Sequence, residues 1–368
     1  MSGPRKMLVL CPYPEGVAAG QRLKYEQYFD DWKAHGWQVD VSPFMDGSMW
    51  RVAYQPGKLL SKVSGVLRGH LRRLRDLTRI RDYDLVYVFM WVTPFGTSIM
   101  ERTVRRLARK VVYDIEDNVI VGNALPKDHN PNAIVSLLKG PRKAMFLVRR
   151  ADHVIASSPF LRDLCLQQHG ARASTYISSS VDTGRFVPRS GRARSRVTVG
   201  WTGTFSSRVY LDTLRPVFQQ LARKVDYRLR IIGNFDYDLP GVDLEVVQWS
   251  AEREVQDLQE LDIGVYPLPS DEWVMGKSGL KAIQYMAFGL PTVASNAGMT
   301  PMIIRDGENG LLVRTGDEWV DALERLIRDP ALRQRLGTAA REDAVVRFST
   351  AAIAEQYRGV LDETIGRN

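Results

Sequence analysis

Two doubly wound parallel-sheet domains of the α/β class, facing each other across a cleft, are predicted by three observations. Short apolar, β-branched runs alternate with helical patterns along the chain, as βαβ units require. At 368 residues, 44% of them hydrophobic and 25% charged, the chain is longer than one core usually grows. A single polar, basic run carrying Pro and Gly, PRSGRARSR at 188–196, separates two blocks of alternation and reads as a linker. The expected domains are 1–187 and 197–350, with residues 351–368 a helix packing back on the first.

In the first block the expected strands are 6–13, 37–44, 84–91, 110–117 and 152–158. GQRLKYEQYFDDWKAHG lies between the first two and reads as a helix closed by Gly36 in the C-cap region. The second block begins with a strand at 196–203 and a helix at 210–224, then strands at 227–234 and 244–249. A helix at 252–261, a strand at 262–268, a helix at 279–288 and a strand at 291–295 complete it. Such sheets bind ligands at the carboxyl ends of their strands.

Composition narrows the function classes. No apolar run approaches the about 20 residues that span a bilayer, and the N-terminus lacks a signal peptide's apolar stretch, so a cytoplasmic location is expected, extending to the inner face of the membrane. Cys11 and Cys165 are too few for a disulfide framework or a thiolate metal site and read as core fillers. The five histidines and scattered acids show no metal-ligand spacing, so no metal or other cofactor is expected. The net charge of +9 is uneven: residues 1–180 hold 27 Lys+Arg against 16 Asp+Glu, or +11, and the remainder 24 against 26, or −2. A positive field of this kind attracts nucleic acid, anionic membrane or an anionic substrate.

The chemistry concentrates in DIGVYPLPSDEWVMGKSGLKAIQYMAFGLPTVAS, 262–295, which reads as strand, loop, helix, turn, strand. Ser278 is expected to cap a helix whose first turn contains Gly279, with Lys277 beside that positive helix end. Lys277 and the amides near Ser278 and Gly279 would hold a diphosphate and stabilise charge on a leaving nucleotide. A solvated loop entering an ordinary helix is the plainer reading of the tripeptide alone.

The order of these pieces resembles the family 4 retaining glycosyltransferases of GT-B fold, in particular bacterial members that build surface polysaccharides. The resemblance runs through LCPYPEGVAAGQR, YDIEDN, ADHVIASSPFL, SSSVDTGRFVP, VGWTGTFSSRVYL, LRIIGN, DIGVYPL, the GKSGLKAIQYMAFGLPTVAS block and the IIRDGENGLLV tail. It implies a nucleotide diphosphate sugar as donor and a glycan or lipid-linked acceptor, with transfer independent of metal and retaining anomeric configuration. Arg208 in GTFSSR and Lys277 match the basic residues that hold the donor diphosphate. Gly203, Gly233, Asn234 and Trp249 stand at the loops that shape the donor site. Two glutamates eight positions apart in the family block are replaced here by Gly276 and Gln284; Gln284 retains hydrogen-bonding capacity toward ribose hydroxyls without the charge. A nucleotide-sugar epimerase on the same fold, or a catalytically degenerate binding subunit, is the alternative.

On the N-terminal side, the glycines of the loop PYPEGVAAGQR let backbone approach a ligand closely, and the resemblance implies that this loop borders donor phosphates and acceptor, which makes Gly16, Gly20 and Arg22 candidates; a plain connecting loop is the alternative. YDIEDN places Asp114, Glu116, Asp117 and Asn118 at a strand's carboxyl end. Glu116 and Asn118 would orient an acceptor hydroxyl and Asp117 would act as base, or Asp117 or Asn118 simply caps the next helix. Residues 58–81 form a basic amphipathic pattern with eight cations opposed by Asp76. The favoured reading packs its leucines on the sheet; peripheral contact with anionic membrane is the alternative. No nucleic-acid reading motif accompanies the charge.

Overall fold

The computed structural model describes residues 3–53, 55, 57–116, 142–190 and 196–366. These fall into two compact units: the described residues within 1–178, 276–278 and 353–368, and those within 179–275 and 279–352.

The first unit is built on a six-stranded sheet: β1 (Arg5–Cys11), β2 (Trp37–Pro43), β3 (Leu85–Phe89), β4 (Val111–Ile115), β5 (His153–Ala156) and β6 (Ser174–Tyr176), in the order β2-β1-β3-β4-β5-β6. Every pair is parallel. Strands β3, β4 and β5 are buried along their whole length, which is why they read as near-continuous apolar runs, interrupted by Asp114 and His153, rather than alternating ones. Side chains of β1 alternate between two cores: Leu8 and Leu10 join Val86, Val104 and Leu147, while Met7, Val9 and Cys11 join Trp32, Tyr87 and Tyr357. Tyr357 belongs to the C-terminal helix Thr350–Gly366, whose Ile353, Val360 and Leu361 lie in the same core. Both cysteines are free and buried.

The expected helix between β1 and β2 breaks into α1 (Ala19–Arg22), a 3₁₀ turn at Glu26–Tyr28 and α2 (Phe29–Ala34). Within the break Lys24 is buried, its ammonium 2.5 Å from the Asp114 carboxylate. Gly36, at φ 85°, takes the left-handed position just after α2 and returns its N–H to the Lys33 carbonyl.

Downstream, α3 (Gly47–Ala53) leads to α4 (Leu59–Arg79). Here the structure reverses the packing expected for the basic helix. The face of α4 turned inward carries Gly65, Gly69, Arg73 and Asp76, whereas Leu59, Leu60, Val63, Leu67, Leu71 and Leu74 face solvent. The two glycines permit the close approach: a Cβ at Gly65 would lie 2.7 Å from the Met49 side chain, and one at Gly69 2.7 Å from the Phe44 ring. Arg73 is anchored by donating to the carbonyls of Val92 (2.8 Å), Ser42 (2.9 Å) and Cys11 (2.9 Å) and by pairing with Asp76.

The second unit holds β7 (Thr198–Thr202), β8 (Arg228–Gly233), β9 (Leu244–Gln248), β10 (Ile263–Tyr266), β11 (Thr292–Ser295) and β12 (Gly310–Val313), in the order β12-β11-β10-β7-β8-β9 and again all parallel. The helix expected at 210–224 is two, Arg208–Asp212 and Arg215–Ala222. Pro216, with no N–H to donate, is tolerated only in a first helical turn and so starts a new helix.

Candidate functional site

At the carboxyl edge of the second unit's sheet, β7, β8 and β9 bring together five of the expected donor-side residues. Gly203 follows β7 and donates its N–H to the Ile232 carbonyl at 3.0 Å. A Cβ there would lie 2.4 Å from the Trp201 ring and 2.7 Å from Ser207 Oγ, so only glycine fits. Gly233 ends β8 at similarly close range: its Cβ would stand 2.7 Å from Phe235 and 3.0 Å from the Gly203 carbonyl oxygen. Asn234 accepts the N–H of Phe205 on its side-chain oxygen at 2.8 Å, tying the loop after β8 to the loop after β7. Trp249, after β9, donates its N–H to the Gly233 carbonyl at 2.8 Å.

Arg208 begins the Arg208–Asp212 helix, and its guanidinium carbon lies 5.7 Å from the ring centre of Phe235 and 5.4 Å from that of Tyr237. Its Nε is 3.5 Å from Asp212, one helical turn on. A cation at a helix start is opposed by the helix dipole. Here the two rings, which come from the loop after β8, hold it in place. Arg215 stands over the same Tyr237 ring at 5.1 Å, which puts a second cation in the cluster.

The helix after β10 is Leu280–Ala287, and its N-cap is Gly279, not Ser278. Gly279 is left-handed at φ 72°, which favours glycine, and a Cβ there would also displace the Cδ1 end of Ile303, 2.1 Å away. Without a side-chain cap the first amides of this eight-residue helix are left to other acceptors. Ser278 is buried, and Gly276 is held through its carbonyl, which accepts the Ser157 hydroxyl at 2.9 Å. Lys277 lies between them, half-buried. Gln284 is buried one turn inside the helix.

Sequence reasoning missed two residues of this helix. The Lys281 ammonium lies 5.1 Å from the Trp201 ring centre and 5.8 Å from that of Tyr266. Tyr285 is fully buried, packs where a Cβ of Gly264 would be 2.5 Å from its ring, and accepts the Thr202 N–H on its hydroxyl at 2.9 Å. Burial pushes its phenol well above the ordinary range, so it stays neutral.

In the first unit the loop after β1 meets β4. Gly16, at φ 76°, donates its N–H to Glu26 Oε2 at 2.9 Å. A Cβ on Gly20 would stand 2.7 Å from Glu116 Oε2, so this carboxylate rests directly against the glycine backbone. Arg22 closes α1. Buried Gln21, unnoticed in the sequence, clamps the loop by bonding both the N–H (2.9 Å) and the carbonyl (3.0 Å) of Tyr13. Burial raises the Glu26 carboxyl above its ordinary range, against the hydrogen bonds from Gly16 and Gln21.

Asp114 is not an acceptor-facing acid. Its side chain is fully buried, paired with Lys24 and accepting the Tyr87 hydroxyl at 2.5 Å. Desolvation raises its carboxyl above the usual range while Lys24 works to lower it. Asp117 and Asn118 lie outside the described residues. Among the described residues no three His, Cys, Asp or Glu side chains gather as metal ligands, and no helix is long and apolar enough to cross a membrane.

Residues 196–329 match the family described as glycosyl transferases group 1. A D-inositol 3-phosphate glycosyltransferase of Corynebacterium aurimucosum is 29% identical over 255 residues, which cover 60% of this chain and 58% of that protein. The chain thus spans little more than half the length of that relative. Among solved structures, sucrose-phosphate synthase from Thermosynechococcus elongatus superposes over 99% of this chain and 100% of its own, at TM-score 0.74 and 19% identity. Anabaena HepE, solved with UDP and glucose, superposes over 98% of this chain and 100% of its own, at TM-score 0.62 and 18% identity. With two parallel six-stranded sheets, the chain has the GT-B fold expected from its sequence.

Proposed function

From a chain whose residues 196–329 carry the group 1 glycosyltransferase match, we propose an enzyme that transfers a sugar from a nucleotide diphosphate donor to a glycan or lipid-linked acceptor. The observation that carries this reading is the carboxyl edge of the second sheet. Two glycines that admit no side chain, Gly203 and Gly233, line it beside Arg208, whose guanidinium is held in place on two aromatic rings. Backbone free of side chains lets a ligand approach closely, and a fixed guanidinium matches phosphate oxygens. That the HepE structure holds UDP and glucose supports a nucleotide diphosphate sugar as donor.

In the proposed reaction Arg208, Lys277 and the uncapped amides at the start of the Leu280–Ala287 helix bear on the donor diphosphate. An acceptor hydroxyl oxygen forms the new bond to the anomeric carbon as the bond to the phosphate oxygen breaks. The electron pair leaves with the nucleotide diphosphate, and the hydroxyl proton passes to the departing phosphate oxygen. Attack from the leaving group's own face retains configuration. The cations and the helix end balance the growing charge in place of a divalent metal. By the resemblance, Glu116 and Arg22 are read as acceptor-side residues. The resemblance to surface-polysaccharide enzymes supports a role in envelope or exopolysaccharide assembly.

The test is a panel of nucleotide diphosphate sugars incubated with the purified chain and candidate acceptors, with and without a chelator. Release of nucleoside diphosphate that depends on acceptor and survives chelation, with an α-linked product from an α-linked donor, is expected. Epimerised donor formed without acceptor, or donor binding with no turnover on any acceptor, would count against it.

A further inference from the structure

Among the described residues, six of the thirteen exposed large hydrophobic side chains lie on the outward face of α4, which donor chemistry leaves unused. Leu59, Leu60, Val63, Leu67, Leu71 and Leu74 are each between 49% and 87% exposed. At 1.5 Å per residue they make an apolar stripe about 22 Å long. Isolated exposed leucines need no explanation, whereas a continuous stripe does.

This exposure is imposed by the fold. Rotating α4 to bury its leucines would drive a turn of larger side chains into Met49 and Phe44 where Gly65 and Gly69 now sit. It would also pull Arg73 from its buried carbonyl partners. The amphipathic pattern is therefore presented outward by a polar, glycine-lined inner face, the inverse of an ordinary surface helix.

Charge selects the occupant. Lys58, Arg68, Arg75 and Arg81 are exposed on and beside the helix. Arg68 is paired with Asp46, whereas Arg75 makes no described ion pair. The acid within the helix, Asp76, is buried against Arg73 and Arg79 and offers nothing to solvent. An apolar stripe bordered by cations suits a surface that is apolar within and anionic at its rim.

We propose that α4 lies flat on an anionic phospholipid bilayer, its leucines and valine entering the acyl boundary and its cations meeting the headgroup phosphates. This docking does not depend on the sugar-transfer reading, since it requires neither donor nor acceptor.

The test is flotation of the full chain with vesicles of phosphatidylcholine alone and of phosphatidylcholine mixed with phosphatidylglycerol. Binding only to the mixed vesicles, weakening as salt rises, is expected. Leu67→Glu/Leu71→Glu should lower binding at least tenfold with an unchanged melting temperature. Leu60→Ser/Arg75→Glu serves as a second variant where the first fails to fold. Failure of the wild type to float with the mixed vesicles overturns the proposal, as does equal binding to both vesicle types or unaltered binding by a folded variant. A wild-type dimer that the leucine variant dissolves, without vesicle binding, assigns the stripe to a second copy of the chain and overturns it too.

Discussion

The phenolic oxygen of Tyr285 accepts the backbone N–H of Thr202 at 2.9 Å, joining the helix after β10 to the last residue of β7. Both residues are buried, and Gly264 makes room for the ring. The bond fixes the point from which the Gly203 loop departs. Tyr285→Phe strands that amide and should cost about 1–3 kcal/mol of stability. Urea unfolding of the two proteins measures it; coincident midpoints would show that the loop does not lean on this hydroxyl.

Gly203→Ala tests the glycine edge itself. Its methyl would collide with Trp201 and Ser207, and overpacking of this kind costs about 1–3 kcal/mol. The loop is expected to shift and nucleotide diphosphate affinity to fall at least tenfold, read by calorimetric titration. Wild-type affinity in a folded variant would remove this loop from the donor site.

Asp46 links α3 to α4, and its behaviour with pH has a defined sign. It pairs with Arg68 at 2.8 Å and accepts the Met49 N–H at 2.8 Å, and these contacts, Arg68 foremost, hold its carboxyl well below the usual range. A depressed carboxyl stabilises the fold above its unfolded-state pKa, and the contribution is lost as pH falls through the folded-state value. Asp46→Ala should cost about 1 kcal/mol near neutral pH, mainly through the lost cap. The gap between the two proteins should narrow on acidification below about pH 4. A gap independent of pH down to 2 would mean that the carboxylate charge contributes nothing.

Much of this was readable in the sequence, and the exceptions have physical causes. Eight of the ten expected strands announce themselves because buried parallel strands are apolar on both faces; the part-buried edge strands β2 and β9 show instead by their β-branched runs. The three-residue β6 and the four-residue β12 are too short to stand out from loop. That Gly203, Gly233, Asn234 and Trp249 follow strands was legible because strand ends dictate where loops fall, whereas their bearing on a donor came from the resemblance alone. The seating of Arg208 was not, because Phe235 and Tyr237 arrive from another strand's loop. Ser278 was misread as a cap because serine is the commoner choice, whereas the left-handed Gly279 takes that position. The inverted α4 was misread because Gly65, Gly69, Arg73 and Asp76 share a helical face that looks solvent-exposed until their partners are known.

The most direct measurement is calorimetric titration of a panel of nucleoside diphosphates, UDP included, into the wild type, Arg208→Ala and Lys277→Ala. In the proposed site each substitution would remove one charge-assisted phosphate contact, about 1.5–3 kcal/mol. Affinity is therefore expected to drop by about tenfold to a hundredfold while melting temperatures hold. Equal affinity in all three proteins, or no binding by the wild type to any member of the panel, would contradict a donor diphosphate held by these two cations.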